Sequence, residues 1–583
     1  MNYEVEMLRP FGAIIRSKHN NTSMKDFSPL EIQSLVSKYK LVVFKGYATM
    51  PKQELALFAQ KLGKPLQWVF GAINDLKVKP DAENYIFTDH DVPMHWDGAF
   101  VGTIPHIILF QCIVAPKKED MGGTTFCDTE RLLENQTEQT IRQWEPIAVT
   151  YSTEKIAHYG GKITQRLIAQ HEVEENRKVI RYAEPVDDLN PVKLEIRNLT
   201  GQSDETFVQT MKEQLYHPDY LYTHRWETGD IVLADNHVLL HGREAFLNPN
   251  ERYIQRINLL HRPSKTSITR FIDNCLTIRR KEFFVAELPI FLIALLLNIT
   301  SINRFGEPSL YLGLAAIIML FNIGDMINCY ADYELDSIYK SHLSNAVYEL
   351  GKKNVIIQIV LSGLLGLLFT TIVAIETQQL YLIPLTIVGA IIGLQYSIKP
   401  FKFKSGGLWQ LLCLWGIIFF GPMLYTAIIT NGFPGWLQLL IFSFYGFHQM
   451  GIILLNTAED YTEDKATGLR TIIIYLGLHR AMNFAYYLVI FSGLLLHVCM
   501  AILFWQQHVN IALYLSIGIF TIGWLKIVKE YKIIIDKLNN LNEAEAVSLI
   551  KKNGMKVPRW LKIGAYSFLS VVLLFTAYKL IYS

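Results

Sequence analysis

Cysteine is scarce and unorganised in this chain. Six residues (Cys112, Cys127, Cys275, Cys329, Cys413 and Cys499) are scattered through 583 positions. They show neither the spacing of a zinc site nor a paired framework, which excludes a disulfide-stapled scaffold. They fit a reducing compartment or use as small apolar filler. A surplus of charge is also missing: the formal net charge is +2, which selects no partner, and no nucleic acid is expected. The first seventeen residues, MNYEVEMLRPFGAIIRS, lack an uninterrupted apolar core and a cleavage pattern. No secretory leader is read there, and the first domain is expected to stay in the cytoplasm. Long apolar runs are absent up to about residue 265 and dominate after about Phe283. The chain is too long for one ordinary domain, and this shift in composition divides it in two.

Two segments organise the apolar half. Asn328, Asp332 and Asp336 recur at every fourth position, as do Asn456, Asp460 and Asp464. On a helix such positions fan over roughly 80° of one face. Acidic residues at helix ends often face only water. Two such segments, each abutting an apolar run, point instead to a shared task, because ionisable groups at a membrane boundary are functional candidates by default. Four facing carboxylates repel unless cations lie between them. Mg(2+) suits the site, since it takes a few carboxylates and completes its shell with phosphate oxygens or water.

Nine apolar runs of bilayer length are read, centred near residues 291, 318, 364, 388, 417, 445, 492, 517 and 571. The joins after the second, fourth, sixth and eighth carry Lys340, Lys352, Lys353, Lys399, Lys402, Lys404, Lys465, Arg470, Arg480 and a dense set from Lys526 to Lys562. The opposite joins carry almost none, Arg304 excepted. By the positive-inside rule the aspartate segments and the N-terminal domain face the cytoplasm, with Ser583 outside. The basic cluster Arg279-Arg280-Lys281 before the first run agrees. Lys399, Lys402 and Arg470 are candidates to neutralise a departing diphosphate, although lysines at such joins also serve topology alone.

In the first half, a strand through Pro93–Gly98 turns His95 and Asp97 to one face and Trp96 to the other. A third ligand is available in His241. Two His and one carboxylate on one face of a metal leave positions open for substrate and O2, as in non-haem Fe(II) oxygenases. Arg252, Ile254 and Arg256 alternate as on a strand with one polar face. A fixed guanidinium there can hold a carboxylate by two parallel hydrogen bonds.

Here the residues reach a resemblance. His95-x-Asp97, Gly122-Gly-Thr-Thr125, the Asp235–His241 run and Arg252 make residues from roughly 10 to 263 resemble the taurine-dioxygenase family of Fe(II)/2-oxoglutarate oxygenases. The resemblance implies a double-stranded β-helix (jelly-roll) with flanking helices. It implies iron on His95, Asp97 and His241, 2-oxoglutarate on Thr125 and Arg252, and Arg256 near the substrate or cosubstrate anion. The strings HWDG at His95, GGTTFCDT at Gly122 and LLHGREAF at Leu239 look closer to a branch acting on amino-acid-derived isonitriles. His237 stands where many relatives carry Arg, and a satisfied structural role is expected for it.

Residues 283–583 resemble the UbiA superfamily of intramembrane prenyltransferases. The resemblance is carried by Asn328/Asp332/Asp336, by Tyr396-Ser-x-x-Pro400 and by Asn456/Asp460/Asp464/Gly468-x-Arg470-Thr471. It implies an all-α polytopic bundle of nine transmembrane helices, Mg(2+) between the aspartate motifs and a prenyl diphosphate bound through it. Cys329 replaces a common Asp, and the loop from Tyr339 to Val347 lacks the Arg-Pro pattern of quinone-pathway members. A secondary-metabolite enzyme is therefore expected.

The expected organisation is an oxygenase over 1–263, a linker over 264–282 and a prenyltransferase over 283–583. The whole is an integral membrane protein, of the inner or plasma membrane if bacterial. It would oxidise (hydroxylate or desaturate) a small aromatic or isonitrile compound and prenylate an aromatic acceptor. Two other readings stay open: a terpene cyclase whose product the oxygenase hydroxylates, and a membrane half that only anchors or transports.

Overall fold

The computed structural model describes residues 3–582 except 19–21, 69–70, 80–81, 83, 101, 157–158, 175, 188, 249–251, 263–266 and 555. The expected boundary at 263/264 and the terminal Ser583 lie outside the described residues. The chain forms two compact units. The first is Met1–Ile268 together with Asp332–Tyr348; the second is Thr269–Ala331 together with Glu349–Ser583.

The first unit is β-rich. Its eight-stranded sheet contains, as neighbours, strands Leu41–Lys45, Ile231–Asp235, Ile107–Val114 and Tyr253–Leu260. Strands Leu41–Lys45, Ile107–Val114 and Ile231–Asp235 are apolar on most residues because both faces are covered, whereas Tyr253–Leu260 carries Gln255, Arg256 and Asn258. The sheet is antiparallel except where Ala13–Ser17 runs parallel to Leu41–Lys45. Helices Pro29–Tyr39 and Lys52–Leu62 bury Ile32, Val36, Leu55, Phe58 and Ala59 with one sheet face. Ser28 caps the first of them through the Glu31 amide. A four-stranded sheet, in the order Leu221–His224, Thr124–Asp128, Leu239–Arg243, Val92–His95, presents the candidate metal ligands.

Residues 332–348 complete this unit. Short helix Tyr333–Tyr339 packs on helix Lys52–Leu62, and Ile338 lies against the same apolar cluster as Ile32 and Leu55. The Ala72 amide donates to the Ile338 carbonyl at 2.6 Å. Gln67 brackets the chain by donating to the Tyr339 carbonyl (2.9 Å) and accepting from the Ser341 amide (2.6 Å).

The second unit is helical. Among the described residues, seven helices are long and apolar enough to cross a membrane: Pro308–Ala331, Lys352–Glu376, Leu408–Asn431, Trp436–Glu459, Leu478–Gln506, Ile511–Leu538 and Val557–Tyr582. The other two expected runs fold as shorter apolar helices, Phe284–Asn298 and Leu382–Ser397. At 1.5 Å per residue these reach only about 22–24 Å, less than the usual hydrocarbon thickness of about 30 Å. Close helix pairs meet at glycine: a Cβ on Gly451 would lie 2.6 Å from Val489, and one on Gly366 would lie 2.7 Å from Leu320.

Candidate active sites

Strands Val92–His95 and Leu239–Arg243 pair antiparallel with His95 directly opposite His241. Directly opposed residues share a sheet face, and the two imidazole rings stand 4.4 Å apart. Asp97, two residues beyond His95, reaches the same point: its oxygens lie 3.8 Å from His95 Nε2 and 3.9 Å from His241 Nε2. Trp96 points the other way, into a core with Tyr151. The alternation expected of that segment is therefore present.

The surroundings hold each ligand in the form that binds a metal. His95 Nδ1 sits 2.9 Å from the Pro93 carbonyl; donating there leaves the Nε2 lone pair free. His241 Nε2 is buried without a hydrogen-bond partner, an orphan that a metal would satisfy. Burial pushes the His241 pKa down to about 3, helped by neighbouring His95. Burial also lowers His95. Both rings are neutral at physiological pH. Burial raises the Asp97 carboxyl, but the opposing pull, led by the Arg256 guanidinium, holds the group below its ordinary value. The three ligand atoms lie within 4.8 Å of one another. A metal with bonds of about 2.1 Å sets adjacent ligands roughly 3 Å apart, so closure needs side-chain shifts of about 1 Å. The set fits a divalent ion of the iron class.

Two asparagines fix Asp97: Asn236, which stands in the Asp235–His241 run without an assigned role, and Asn258, which no motif singled out. Asn236 accepts the Asp97 amide (2.9 Å) and donates to its carbonyl (3.1 Å). Asn258 donates to Oδ2 at 3.0 Å. Extending the alternation Arg252, Ile254, Arg256 by one step would have found Asn258. Arg256 Nη1 lies 3.1 Å from Asp97 Oδ2, so its position is on the candidate ligand carboxylate.

Arg252 precedes strand Tyr253–Leu260 and is buried, with Nε donating to the Gly122 carbonyl at 3.2 Å. Burial lowers its pKa to about 9, with Arg243 adding repulsion. Among the described residues no carboxylate is within ion-pair distance of it. A buried guanidinium without a counter-charge is costly, and an anionic cosubstrate would supply that charge. Thr125 pairs with Gly242, which follows His241. A Cβ on Gly242 would meet Thr125 Oγ1 at 2.9 Å and the Val92 carbonyl at 2.6 Å, so only glycine admits this close approach.

The aspartate segments share one local form, and it is not a continuous helix. Pro308–Ala331 ends before Asp332 (φ −92°, ψ 7°), and Tyr333–Tyr339 begins after it. Trp436–Glu459 ends before Asp460 (φ −84°, ψ 10°), and Tyr461–Thr467 begins after it. In both, the second aspartate donates its amide to the carbonyl of the first over 2.8 Å, Asp336 to Asp332 and Asp464 to Asp460. Asp332 and Asp336 belong to the first unit, Asp460 and Asp464 to the second. Asn328 donates to Ser397 Oγ of the Tyr396-Ser segment at 3.3 Å. Asn456 lies on helix Trp436–Glu459. The loop of Lys399 and Lys402 joins the Arg470 loop: the Arg470 amide donates to Ser405 Oγ (2.9 Å) and the Gly407 amide to the Arg470 carbonyl (3.0 Å). The two joins thereby meet through Ser405, Gly407 and the Arg470 backbone.

Comparison with known proteins gives two family matches over the chain, and the second runs through Asp332–Tyr348, which the fold places in the first unit. Residues 4–258 match the family described as taurine catabolism dioxygenase TauD, TfdA family. Residues 288–533 match the UbiA prenyltransferase family. A 3-((Z)-2-isocyanoethenyl)-1H-indole synthase of Fischerella ambigua is 37% identical over 44% of this chain and 96% of its own. A tyrosine isonitrile desaturase of Pseudomonas aeruginosa is 28% identical over 44% and 89%. A crystal structure of PvcB from Pseudomonas aeruginosa covers 44% of this chain and 92% of its own at 25% identity, with a TM-score of 0.39.

Proposed function

Because residues 4–258 belong to the TauD, TfdA family and residues 288–533 to the UbiA prenyltransferase family, we propose that this chain is a bifunctional integral membrane enzyme of secondary metabolism. Its oxygenase half, folded as a double-stranded β-helix, hydroxylates or desaturates a small aromatic isonitrile derived from an amino acid. The relatives named for an isocyanoethenyl indole and for a tyrosine isonitrile support that substrate class.

His95, Asp97 and His241 hold Fe(II), while Arg252 and Thr125 hold 2-oxoglutarate. With O2, the loaded iron supplies the oxidant that removes hydrogen from the substrate, releasing succinate and CO2. Asn236, Asn258 and Arg256 keep Asp97 ionised and in place, and the Pro93 carbonyl fixes the His95 tautomer. Arg252 neutralises the distal carboxylate of 2-oxoglutarate in a buried site, where a fixed guanidinium binds strongly.

In the membrane half, Asp332, Asp336, Asp460 and Asp464, with Asn328 and Asn456, bind Mg(2+) and through it a prenyl diphosphate. Lys399, Lys402 and Arg470 stabilise the departing diphosphate, and an aromatic acceptor captures the allylic carbon. The two short apolar helices complete nine crossings. The charge distribution of the joins puts the oxygenase and both aspartate segments on the cytoplasmic side.

The observation that carries the oxygenase reading is the orphaned His241 Nε2 beside Asp97, in a unit that also buries Arg252 without a counter-charge among the described residues. The test uses the full chain in detergent with Fe(II), 2-oxoglutarate and O2. Succinate release should rise with tyrosine- or tryptophan-derived isonitriles and fall to background in His241→Ala. Stimulation by a terpene alcohol alone would overturn the substrate class. Separately, diphosphate release from a prenyl diphosphate should depend on acceptor and be lost in Asp332→Asn. Full release in that variant would overturn the Mg(2+) assignment.

A further inference from the structure

A second cluster of metal-binding side chains lies in the oxygenase unit, outside the triad. His106 stands at the start of strand Ile107–Val114, Asp235 at the end of Ile231–Asp235, and His237 in the turn that leads to Leu239–Arg243. His171 follows strand Ile168–Gln170. One ligand atom from each of the four lies within 4.8 Å of the others. Asp235, His237 and His171 are almost fully buried.

The hydrogen bonds sort these four groups. His171 Nδ1 accepts from the amides of Val173 (3.1 Å) and Glu174 (2.9 Å). Its proton is therefore on Nε2, which donates to Asp235 Oδ2 at 3.3 Å. His171 is thus a support for the carboxylate, and metal binding at its Nε2 would require an imidazolate. Asp235 Oδ1 accepts the His237 amide at 2.9 Å. His106 Nε2 lies 3.9 Å from Asp235 Oδ2 and, like His237 Nδ1, is buried with no hydrogen-bond partner among the described residues. The His106 and His237 rings stack with centroids 5.0 Å apart.

Asp235 is wholly buried, and no Lys or Arg among the described residues is within ion-pair distance of it. Arg181 is occupied nearby on the His237 carbonyl. Half-exposed Glu172 approaches His237 Nε2 at 3.8 Å and adds negative charge on the solvent side. An isolated buried carboxylate beside two orphaned imidazole nitrogens is a costly arrangement for a metal-free core.

We propose that His106, Asp235 and His237 bind a second, structural divalent cation of the Zn(2+) class, with His171 orienting the Asp235 carboxylate. Imidazole and carboxylate donors suit that class. The residue between Asp235 and His237 is Asn236, the asparagine that holds both the amide and the carbonyl of Asp97. An ion on Asp235 and His237 would therefore brace the turn that fixes the iron ligand. This also accounts for a histidine at 237: its Nε2 reaches the Ile104 carbonyl at 3.5 Å, while Nδ1 has no partner among the described residues.

The test is a Co(2+) titration of the metal-stripped full chain in detergent. Excess Mg(2+) occupies the all-oxygen carboxylate sites, and the visible absorption of imidazole-bound cobalt is followed. The expected stoichiometry is two per chain in the wild type and one in His241→Ala, His106→Gln or His237→Gln. The double variant His241→Ala/His106→Gln should bind none. A single equivalent in the wild type that disappears in His241→Ala would overturn the proposal, and this pair needs no variant of the second cluster to fold. Two equivalents retained in both His106→Gln and His237→Gln would overturn it as well. A single wild-type equivalent that survives His241→Ala and disappears in His106→Gln would uphold the second site and sink the iron assignment instead.

Discussion

The two aspartate segments have the same backbone and rest on different things. Each is a long apolar helix, a break at the middle aspartate and a short helix of seven residues. After Asp332 the chain is held by buried polar contacts to the oxygenase unit. Gln60, fully buried, accepts from the Tyr333 hydroxyl at 2.9 Å and donates to Ser344 Oγ at 2.8 Å. After Asp460 the short helix ends at Gly468 in the left-handed region (φ 70°, ψ 16°), and Lys465 pairs with Glu543 in the open. Equal backbones with unequal support mean that ligand binding must order the two arms to different degrees. The arm after Asp332 is already fixed by its own unit. The second arm is capped at Gly468 and anchored by Tyr461 in the apolar core of its own helical unit.

The change that should break this difference most strongly is Gly71→Ala. Gly71 has φ +108°, and a Cβ there would lie 2.5 Å from the Ile338 carbonyl. That neighbour is backbone, so it cannot swing aside. Strain and overpacking together cost about 3 kcal/mol. Amide hydrogen exchange across 333–348 should accelerate by about two orders of magnitude, while exchange across 461–467 is unchanged. Gln60→Ala comes next. It removes two buried hydrogen bonds and strands the Ser344 hydroxyl, for about 1–3 kcal/mol. Exchange at Tyr333–Tyr339 should rise correspondingly. If neither variant alters that segment, the support assigned to the oxygenase unit is absent.

These contacts also mark where the sequence was and was not legible. Helix Lys52–Leu62 and strand Leu41–Lys45 follow from local periodicity, and His95, Asp97 and His241 from residue types whose geometry a strand dictates. Asp332 and Asp336 follow from fourfold spacing, but the break between them does not. That spacing is compatible with a continuous helix, and the terminus is set by what the next residues pack on. The run from Tyr339 to Val347 reads only as a departure from a family pattern. Its buried Ser341 and Ser344 find partners nearly 300 positions away, in Gln67 and Gln60, and no local signal encodes such a pairing. The same holds for His106 and His171, which lie far from Asp235 in sequence and near it in space.

On the second arm the expected effects are smaller, and they sharpen the contrast. A Cβ on Gly554 would fall 1.6 Å from Glu459 Oε1, next to Asp460. The obstacle is a half-buried, flexible side chain and not backbone, so the cost is that of the contacts Glu459 gives up when it moves. Gly554 also ends helix Glu543–Gly554, where alanine gains back up to about 1 kcal/mol of helix propensity. Gly554→Ala should therefore change stability by less than about 1 kcal/mol, a fraction of the Gly71→Ala effect despite the shorter nominal contact. Thermal unfolding of the second unit, followed by exchange in 543–554, measures it.

Lys465→Ala should do least of all. Lys465 Nζ and Glu543 Oε1 are 2.6 Å apart, but both side chains are more than half exposed. The Coulomb gain in water is small, and holding two long side chains in one geometry cancels much of it. No shift in unfolding temperature is expected, and exchange across 461–467 should stay the same at low and high salt. The sharp outcome is the reverse pattern. Were Lys465→Ala to loosen 461–467 while Gln60→Ala left 333–348 untouched, the ordering of the two arms would be inverted. The arm after Asp460 would then be the one held by its side chains, and the resemblance of the two backbones would conceal a different division of labour from the one drawn from buried hydrogen bonds.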